Sequence, residues 1–284
     1  MKTRFTTLIV ITALFAISSI FAGCGGGGGG SVSATSVIPD TAPAKLTGKI
    51  AVNTETGSIY ALGKDQYGRS YIRTYDVNGV QMSELKIYNA PEDTDIRDIS
   101  YCGNETYIAT NKAIYKISGM TIQSSTDGNW NGLGCNGLTL VAASSVSHGV
   151  LQVNLRTGEQ KFYPTGNIAP VDVEYDERYG PFIYTVDGKK MNTINGEWQS
   201  GFVQSPVVDD FSGRPAVDFT VAPVNVENRK ISARVTGTDG KVYIDEVRLS
   251  NAWGTQIIDS GTKEAIGVGY NPVNDRLVVV DKST

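Results

Sequence analysis

The feature that most constrains the fold of this chain is a repeat of short strands that begins near residue 46. Apolar and polar residues alternate over short runs, turn residues separate the runs, and no long stretch has the period of a helix. The first about forty residues of this region predict four strands, which is the size of one blade-like unit. These strands are predicted at residues 50–52, 58–62, 71–75 and 85–88.

The four-strand unit recurs along the chain, which indicates a repeat architecture. Later units begin near residues 99, 133, 171, 217 and 266. This count gives five full units and a last unit with two strands, to which residues 33–38 could add another. The sequence therefore predicts an all-β fold, a β-propeller of about six four-stranded blades, with a two-sheet β-sandwich as the alternative.

The last unit carries the sharpest residue pattern. An apolar strand, residues 266–270, leads through Asn271-Pro272 into a second apolar strand, residues 277–280. This stretch resembles the repeat of YVTN-type and NHL-type β-propellers. The resemblance implies a fold and leaves the function open.

The N-terminus has the layout of an export signal. Lys2 and Arg4 precede an almost uncharged apolar stretch, and Phe21-Ala22-Gly23-Cys24 follows it. The arrangement resembles the lipobox of bacterial lipoproteins, although that family prefers Leu where this chain has Phe21. The resemblance implies that residues 1–23 are a signal peptide and that Cys24 is acylated, with palmitate among its lipids. An ordinary signal peptide with an incidental cysteine, or a retained anchor helix, are the alternatives.

Residues 24–45 are rich in Gly, Ser and Pro and predict a flexible tether, followed by a folded domain over residues 46–284. In Gram-negative lipoproteins an aspartate after the lipidated cysteine favours the inner membrane, and this chain has Gly25 there. The resemblance thus implies an envelope protein that is anchored through its N-terminal lipid. It favours the outer membrane, on either the periplasmic face or the cell surface.

Charge and cysteine content narrow the possible partners. The formal net charge is −4, and removal of a signal peptide with Lys2 and Arg4 makes the chain more acidic. No basic stripe suits nucleic acid, so such a partner is not expected. With Cys24 lipidated, Cys102 and Cys135 are an even pair at matching positions of consecutive units. They predict a disulfide between two blades, and two buried thiols are the alternative.

One aligned position could hold a metal ion. Where the innermost strand of each unit begins, the chain offers an ordered series of mostly polar residues, Lys49, Asp98, Asn131, Asp172, Asp218 and Gly267. Oxygens of Asp98, Asn131, Asp172 and Asp218 could bind Ca²⁺, which takes about six to eight oxygen ligands. The alternative is that these side chains cap nearby backbone N–H groups.

No sequence motif marks a catalytic residue. The nucleophile elbow, phosphate-binding loop, dinucleotide fingerprint and zinc-protease motif are all lacking in the sequence. The leading hypothesis is a membrane-anchored binding or scaffolding module for an envelope protein or a glycan. A metal-assisted hydrolase or lactonase with an acidic site at the channel mouth is the alternative, and a purely structural surface lipoprotein is a third reading.

Overall fold

The computed structural model describes the chain in thirteen segments. They are residues 36–39, 45–65, 67–86, 95–118, 121–176, 180–185, 190–194, 197–200, 218–222, 229–235, 241–248, 253–259 and 264–282. The predicted signal peptide and Cys24 lie outside these residues. Within the described segments the regular structure is all β, and no helix there is long and apolar enough to cross a bilayer.

Five sheets each consist of four strands that follow one another in the chain and pair antiparallel. The first sheet contains β2 (Lys45–Val52), β3 (Ile59–Lys64), β4 (Ser70–Tyr75) and β5 (Gln81–Lys86). The second contains β6 (Ile96–Cys102), β7 (Glu105–Thr110), β8 (Ala113–Ser118) and β9 (Thr121–Asp127). The third contains β10 (Gly132–Asn136), β11 (Thr139–Ser144), β12 (Gly149–Asn154) and β13 (Gln160–Pro164).

The next two sheets repeat this order. The fourth contains β14 (Pro170–Asp176), β15 (Gly180–Thr185), β16 (Lys190–Ile194) and β17 (Glu197–Ser200). The fifth contains β18 (Asp218–Ala222), β19 (Arg229–Val235), β20 (Lys241–Arg248) and β21 (Trp253–Asp259). The prediction of recurring four-strand units is therefore confirmed for these five sheets.

The sixth sheet joins the two ends of the described chain. β22 (Ala265–Asn271) pairs antiparallel with β23 (Arg276–Asp281), and β1 (Ser36–Pro39) pairs parallel with β23. Ser36 lies opposite Val278 and Pro39 opposite Asp281. Residues 36–39 fall inside the segment predicted as a tether, so part of that segment is a strand. The strand overlaps residues 33–38, which the sequence suggested could add a strand to the last unit. The described residues form six small sheets, and the two-sheet sandwich is wrong.

The sheets contact one another through their first strands. β2 contacts β6, β6 contacts β10, β10 contacts β14, β14 contacts β18, β18 contacts β22, and β22 contacts β2. The last contact is reinforced by the buried Asn271, whose Nδ2 donates a hydrogen bond of 2.9 Å to the carbonyl of Gly57. The first strands therefore lie at the centre of the molecule.

The hydrophobic core lies between neighbouring sheets. Leu62 and Ile72 of the first sheet pack with Ile99 and Ile108 of the second. Ile59 of the first sheet packs with Val278 and Val280 of the sixth in the same way. Fully burying one such side chain stabilises the fold by about 1.5–3 kcal/mol. Period-two alternation produces this core because each strand directs one face to the preceding sheet and the other to the next.

A disulfide joins two neighbouring sheets. Cys102 ends β6 and Cys135 lies in β10, and their Cα atoms are 5.6 Å apart. The bond closes a separation of 33 residues. A bridge of this kind typically contributes about 2–4 kcal/mol to stability.

Candidate functional site at the first strands

Lys49 lies between two aspartates where the first strands begin. Its Nζ donates to Asp172 Oδ2 at 2.6 Å and to Asp218 Oδ1 at 2.7 Å. The three residues belong to β2, β14 and β18. Asp172 is 123 positions and Asp218 is 169 positions from Lys49 in the sequence. Lys49 is 19% exposed and Asp218 6% exposed at the side chain, so this is a largely buried ion pair.

Backbone N–H groups engage the remaining oxygens of the aspartates. Asp98 accepts from its neighbour Ile99 at 2.8 Å and from Leu133 of β10 at 2.7 Å. Asp218 Oδ2 accepts from Val268 of β22 at 2.8 Å, and Asp172 Oδ1 accepts from Val173, also at 2.8 Å. Each carboxylate oxygen of the three aspartates thus has a donor. The bonds from Leu133 and Val268 each connect one sheet to the next.

Burial and neighbouring charges shift the pKa values of this cluster. Burial alone would lower the pKa of Lys49, but the charges of Asp172, Asp218 and Asp98 outweigh it and leave the pKa well above 10.5. Burial raises the pKa of Asp218 to about 6, despite the opposing charge of Lys49, and Asp172 adds to the increase. Burial also raises the pKa of Asp98 well above its ordinary value. One lysine therefore serves three carboxylates, which do not all favour the ionised form.

The structure brings together only part of the residues predicted to bind calcium. Asp98, Asp172 and Asp218 lie close enough for their charges to influence one another. Asn131 instead directs Oδ1 to the backbone N–H and the hydroxyl of Ser145, at 2.8 and 2.7 Å. Capping of backbone N–H groups, the alternative to a metal site, is seen at all four. Among the described residues, no three His, Cys, Asp or Glu side chains are arranged to hold a metal ion, and calcium binding stays a prediction.

A central cavity of about 640 Å³ lies at the opposite end of the first strands from this cluster, where these strands end. Each of the six first strands contributes to its wall, and the turns after β2, β6, β10 and β22 form its rim. The lining includes three tyrosines, Tyr101, Tyr175 and Tyr270, and two carboxylates, Glu55 and Glu174. The predicted site was placed at the strand starts, whereas this cavity lies beyond them.

Glu174 is a candidate site residue that sequence reasoning missed. It follows Asp172 by two positions in β14, so both side chains lie on the same face of the strand. Burial raises the pKa of Glu174 well above its ordinary value, and the charges of Asp172, Asp98 and Asp218 raise it further. Strand alternation from Asp172 is the signal that could have identified it.

Comparison with known proteins supports the fold and leaves the family open. No protein-family model matches the chain, and no curated protein matches it in sequence. Its structure is similar to the extracellular domain of BT4673 from B. thetaiotaomicron, with a TM-score of 0.54 and 13% identity over 85% of this chain and 32% of that one. It is also similar to BBS1N, solved in complex with ARL6DN, with a TM-score of 0.50 and 12% identity over 80% of this chain and 71% of that one. The Dos1 propeller matches with a TM-score of 0.49 and 13% identity, over 81% of this chain and 63% of that one. Independently of that match, the consecutive four-stranded antiparallel sheets contact one another through their first strands, which is the architecture of a β-propeller.

Proposed function

We propose that this protein is a lipid-anchored envelope protein whose β-propeller acts as a binding or scaffolding module for a protein or glycan partner. The observation that carries the proposal is the central cavity, which side chains of all six first strands build. Its volume of about 640 Å³ falls in the range of organic-ligand sites. BBS1N, one of the similar structures, was solved in complex with a protein, ARL6DN, which is consistent with a protein partner here.

We also propose that the six sheets are the blades of a closed ring. β22 contacts both β18 and β2, and Asn271 is hydrogen-bonded to the turn between β2 and β3. β1 adds to β23, which would otherwise present an open edge. A closed ring holds the first strands in fixed positions around the cavity and makes it a preformed site.

A hydrolase mechanism has less support from the geometry. The oxygens of Asp98, Asp172 and Asp218 already accept hydrogen bonds from Lys49 or from backbone N–H groups. In addition, Lys49 Nζ lies 2.6 Å from Asp172 and 2.7 Å from Asp218, in the place that a metal ion bound by both carboxylates would take. The same contacts instead suit a cluster that fixes the positions of the first strands.

The lipid anchor predicts that Cys24→Ser abolishes labelling by radioactive palmitate in a Gram-negative host. The full chain is expected in the outer-membrane fraction, and the variant is expected to leave it, since the serine hydroxyl cannot replace the lipidated thiol. The matched control is the double variant Cys102→Ser/Cys135→Ser, which changes two other cysteines and should keep the label. Labelling of Cys24→Ser equal to that of the control would refute the anchor.

The binding site predicts a position-dependent crosslink. A photoreactive phenylalanine analogue in place of Leu138, on the cavity rim and 39% exposed, is expected to give a discrete adduct in cells that express the full chain. The control replaces Val146, which is 66% exposed in the turn between β11 and β12, beside the strand starts. Digestion of the adduct by protease or glycosidase distinguishes a protein from a glycan. Equal adducts at both positions, or none at either, would contradict a partner at the cavity.

A further inference from the structure

We propose that the central cavity recognises an organic cation, an alkylammonium or guanidinium group, with Glu174 as its charge partner. This inference rests on the proposed function, because it takes the cavity as the binding site and names the chemistry of its ligand. The cation can come from a Lys or Arg side chain of a partner protein or from a free small amine.

The charges on the cavity wall favour a cation. Its lining includes the carboxylates of Glu55 and Glu174 and contains no Lys, Arg or His among the described residues. In the described part of the chain, no group donates a hydrogen bond to the Glu174 carboxylate. Glu174 is half-buried at the cavity wall, where its ionised carboxylate has no charge partner, and a bound cation would supply one.

The charge behind Glu174 adds to this preference. The single positive charge of Lys49 faces three aspartates, and it is already paired with Asp172 and Asp218. The cluster lies outside the cavity lining, on the strand-start side of Glu174, and it holds more carboxylates than lysines. Charges in such a low-dielectric surrounding favour a cation over an anion nearby. Asp98, Asp172 and Asp218 each raise the pKa of Glu174, so their field reaches its carboxyl group.

The size of the cavity and its aromatic residues indicate an organic cation. About 640 Å³ greatly exceeds the space of one metal ion, and it accommodates an amino-acid side chain with its attached backbone. Tyr101, Tyr175 and Tyr270 line it, and tyrosine is one of the residues whose ring attracts cations. Tyr101 is held by stacking on Tyr60, at 5.6 Å between ring centroids, so it is an ordered part of the wall.

The test is calorimetric titration of the full mature chain with N-acetyl-arginine amide and with N-acetyl-citrulline amide, which has the same shape without the charge. We expect the arginine ligand to bind and the citrulline ligand to bind about tenfold more weakly or worse, as for loss of one charged hydrogen bond. Glu174→Gln should weaken the arginine ligand by a similar factor. Glu159 is an exposed glutamate outside the cavity, and Glu159→Gln should leave the affinity for the arginine ligand unchanged.

Two further readouts separate recognition from misfolding. Glu174→Gln should keep the melting temperature of the wild type or raise it, because burial already disfavours the charged form. The affinity for the arginine ligand should decrease as the pH is lowered through the raised pKa of Glu174, because its carboxyl group then gains a proton. The groups that face or surround it are Asp172, Asp98, Asp218, Lys49, Glu55, Tyr101, Tyr175 and Tyr270.

The outcomes identify the source of the cation and separate this inference from the proposed function. Equal affinity for the amide and for a capped arginine pentapeptide supports a small free cation, whereas tighter binding of the pentapeptide supports a partner side chain. The proposal that the cavity recognises a cation is overturned by any of three results: equal binding of the citrulline ligand, no effect of Glu174→Gln, or binding of neutral sugars alone. If the crosslink at Leu138 persists in those cases, the proposed binding function stands without cation recognition. If that crosslink is also lost, both proposals fail.

Discussion

Lys49→Met is expected to destabilise the fold by about 3–5 kcal/mol at neutral pH, because removal of one partner leaves buried charges uncompensated. Lys49 makes the ion pairs with Asp172 and Asp218, and its charge also lowers the pKa of Asp98. Methionine keeps much of the length of the lysine stem and removes only the charge. Urea unfolding followed by tryptophan fluorescence measures the free energy of unfolding.

The matched control for this change is Lys64→Met. Lys64 Nζ lies 2.9 Å from Asp95 Oδ1, but the two side chains are 36% and 48% exposed. Solvent screens such a pair, and its loss typically costs about 0–1 kcal/mol. Equal losses in the two variants would show that the Lys49 cluster is no more important than a surface ion pair.

The loss in Lys49→Met should also depend on pH. Burial raises the folded-state pKa of Asp218 from 3.8 to about 6, so the folded chain binds more protons than the unfolded chain between these values. The contribution of Asp218 to stability therefore falls as the pH rises through this window. Without Lys49, which lowers the pKa of Asp218 and Asp98, both values rise further. The deficit should be largest at neutral pH and should shrink as acid protonates the carboxylates.

The repeat of strands could be predicted from the sequence because most strands bury one face and expose the other. β5 shows where this signal weakens: it was predicted at residues 85–88 and spans Gln81–Lys86. Its first four residues are exposed, since the outermost strand of the sheet has no further strand beside it. Because these positions are exposed, burial does not select apolar residues there. Apolar and polar residues therefore do not alternate regularly, and the start of β5 could not be read from the sequence.

The candidate site could be predicted only in part. Alignment of the repeats placed Lys49 at the same position as Asp98, Asp172 and Asp218, and the structure brings these four together. The pairing itself could not be derived, because the partners of Lys49 are 123 and 169 residues away. The cavity was missed for a related reason: its wall is assembled from the ends of six strands that no local pattern connects.

The junction between the first and sixth sheets depends on glycine at two facing positions. A β-carbon on Gly48 would overlap the carbonyl oxygen of Ile266, and one on Gly267 would overlap the carbonyl oxygen of Gly48. Gly48 also has a φ of +93° at an irregularity in the pairing of β2 with β3. Left-handed backbone of this kind favours glycine in a β-bulge. The close approach of β2 and β22 thus requires residues without side chains.

Gly48→Ala is therefore expected to cost about 1–3 kcal/mol more than the strain of its backbone alone, because the added methyl group must push β22 away from β2. Gly158→Ala is the matched control: its φ is +74° and no atom lies within 4 Å of the added carbon. The control isolates the cost of a left-handed residue with a side chain, about 1–2 kcal/mol. Urea unfolding gives both values, and hydrogen exchange should show protection lost first in β2 and β22. Equal losses in the two variants, with no local loss of protection, would mean that the junction tolerates separation.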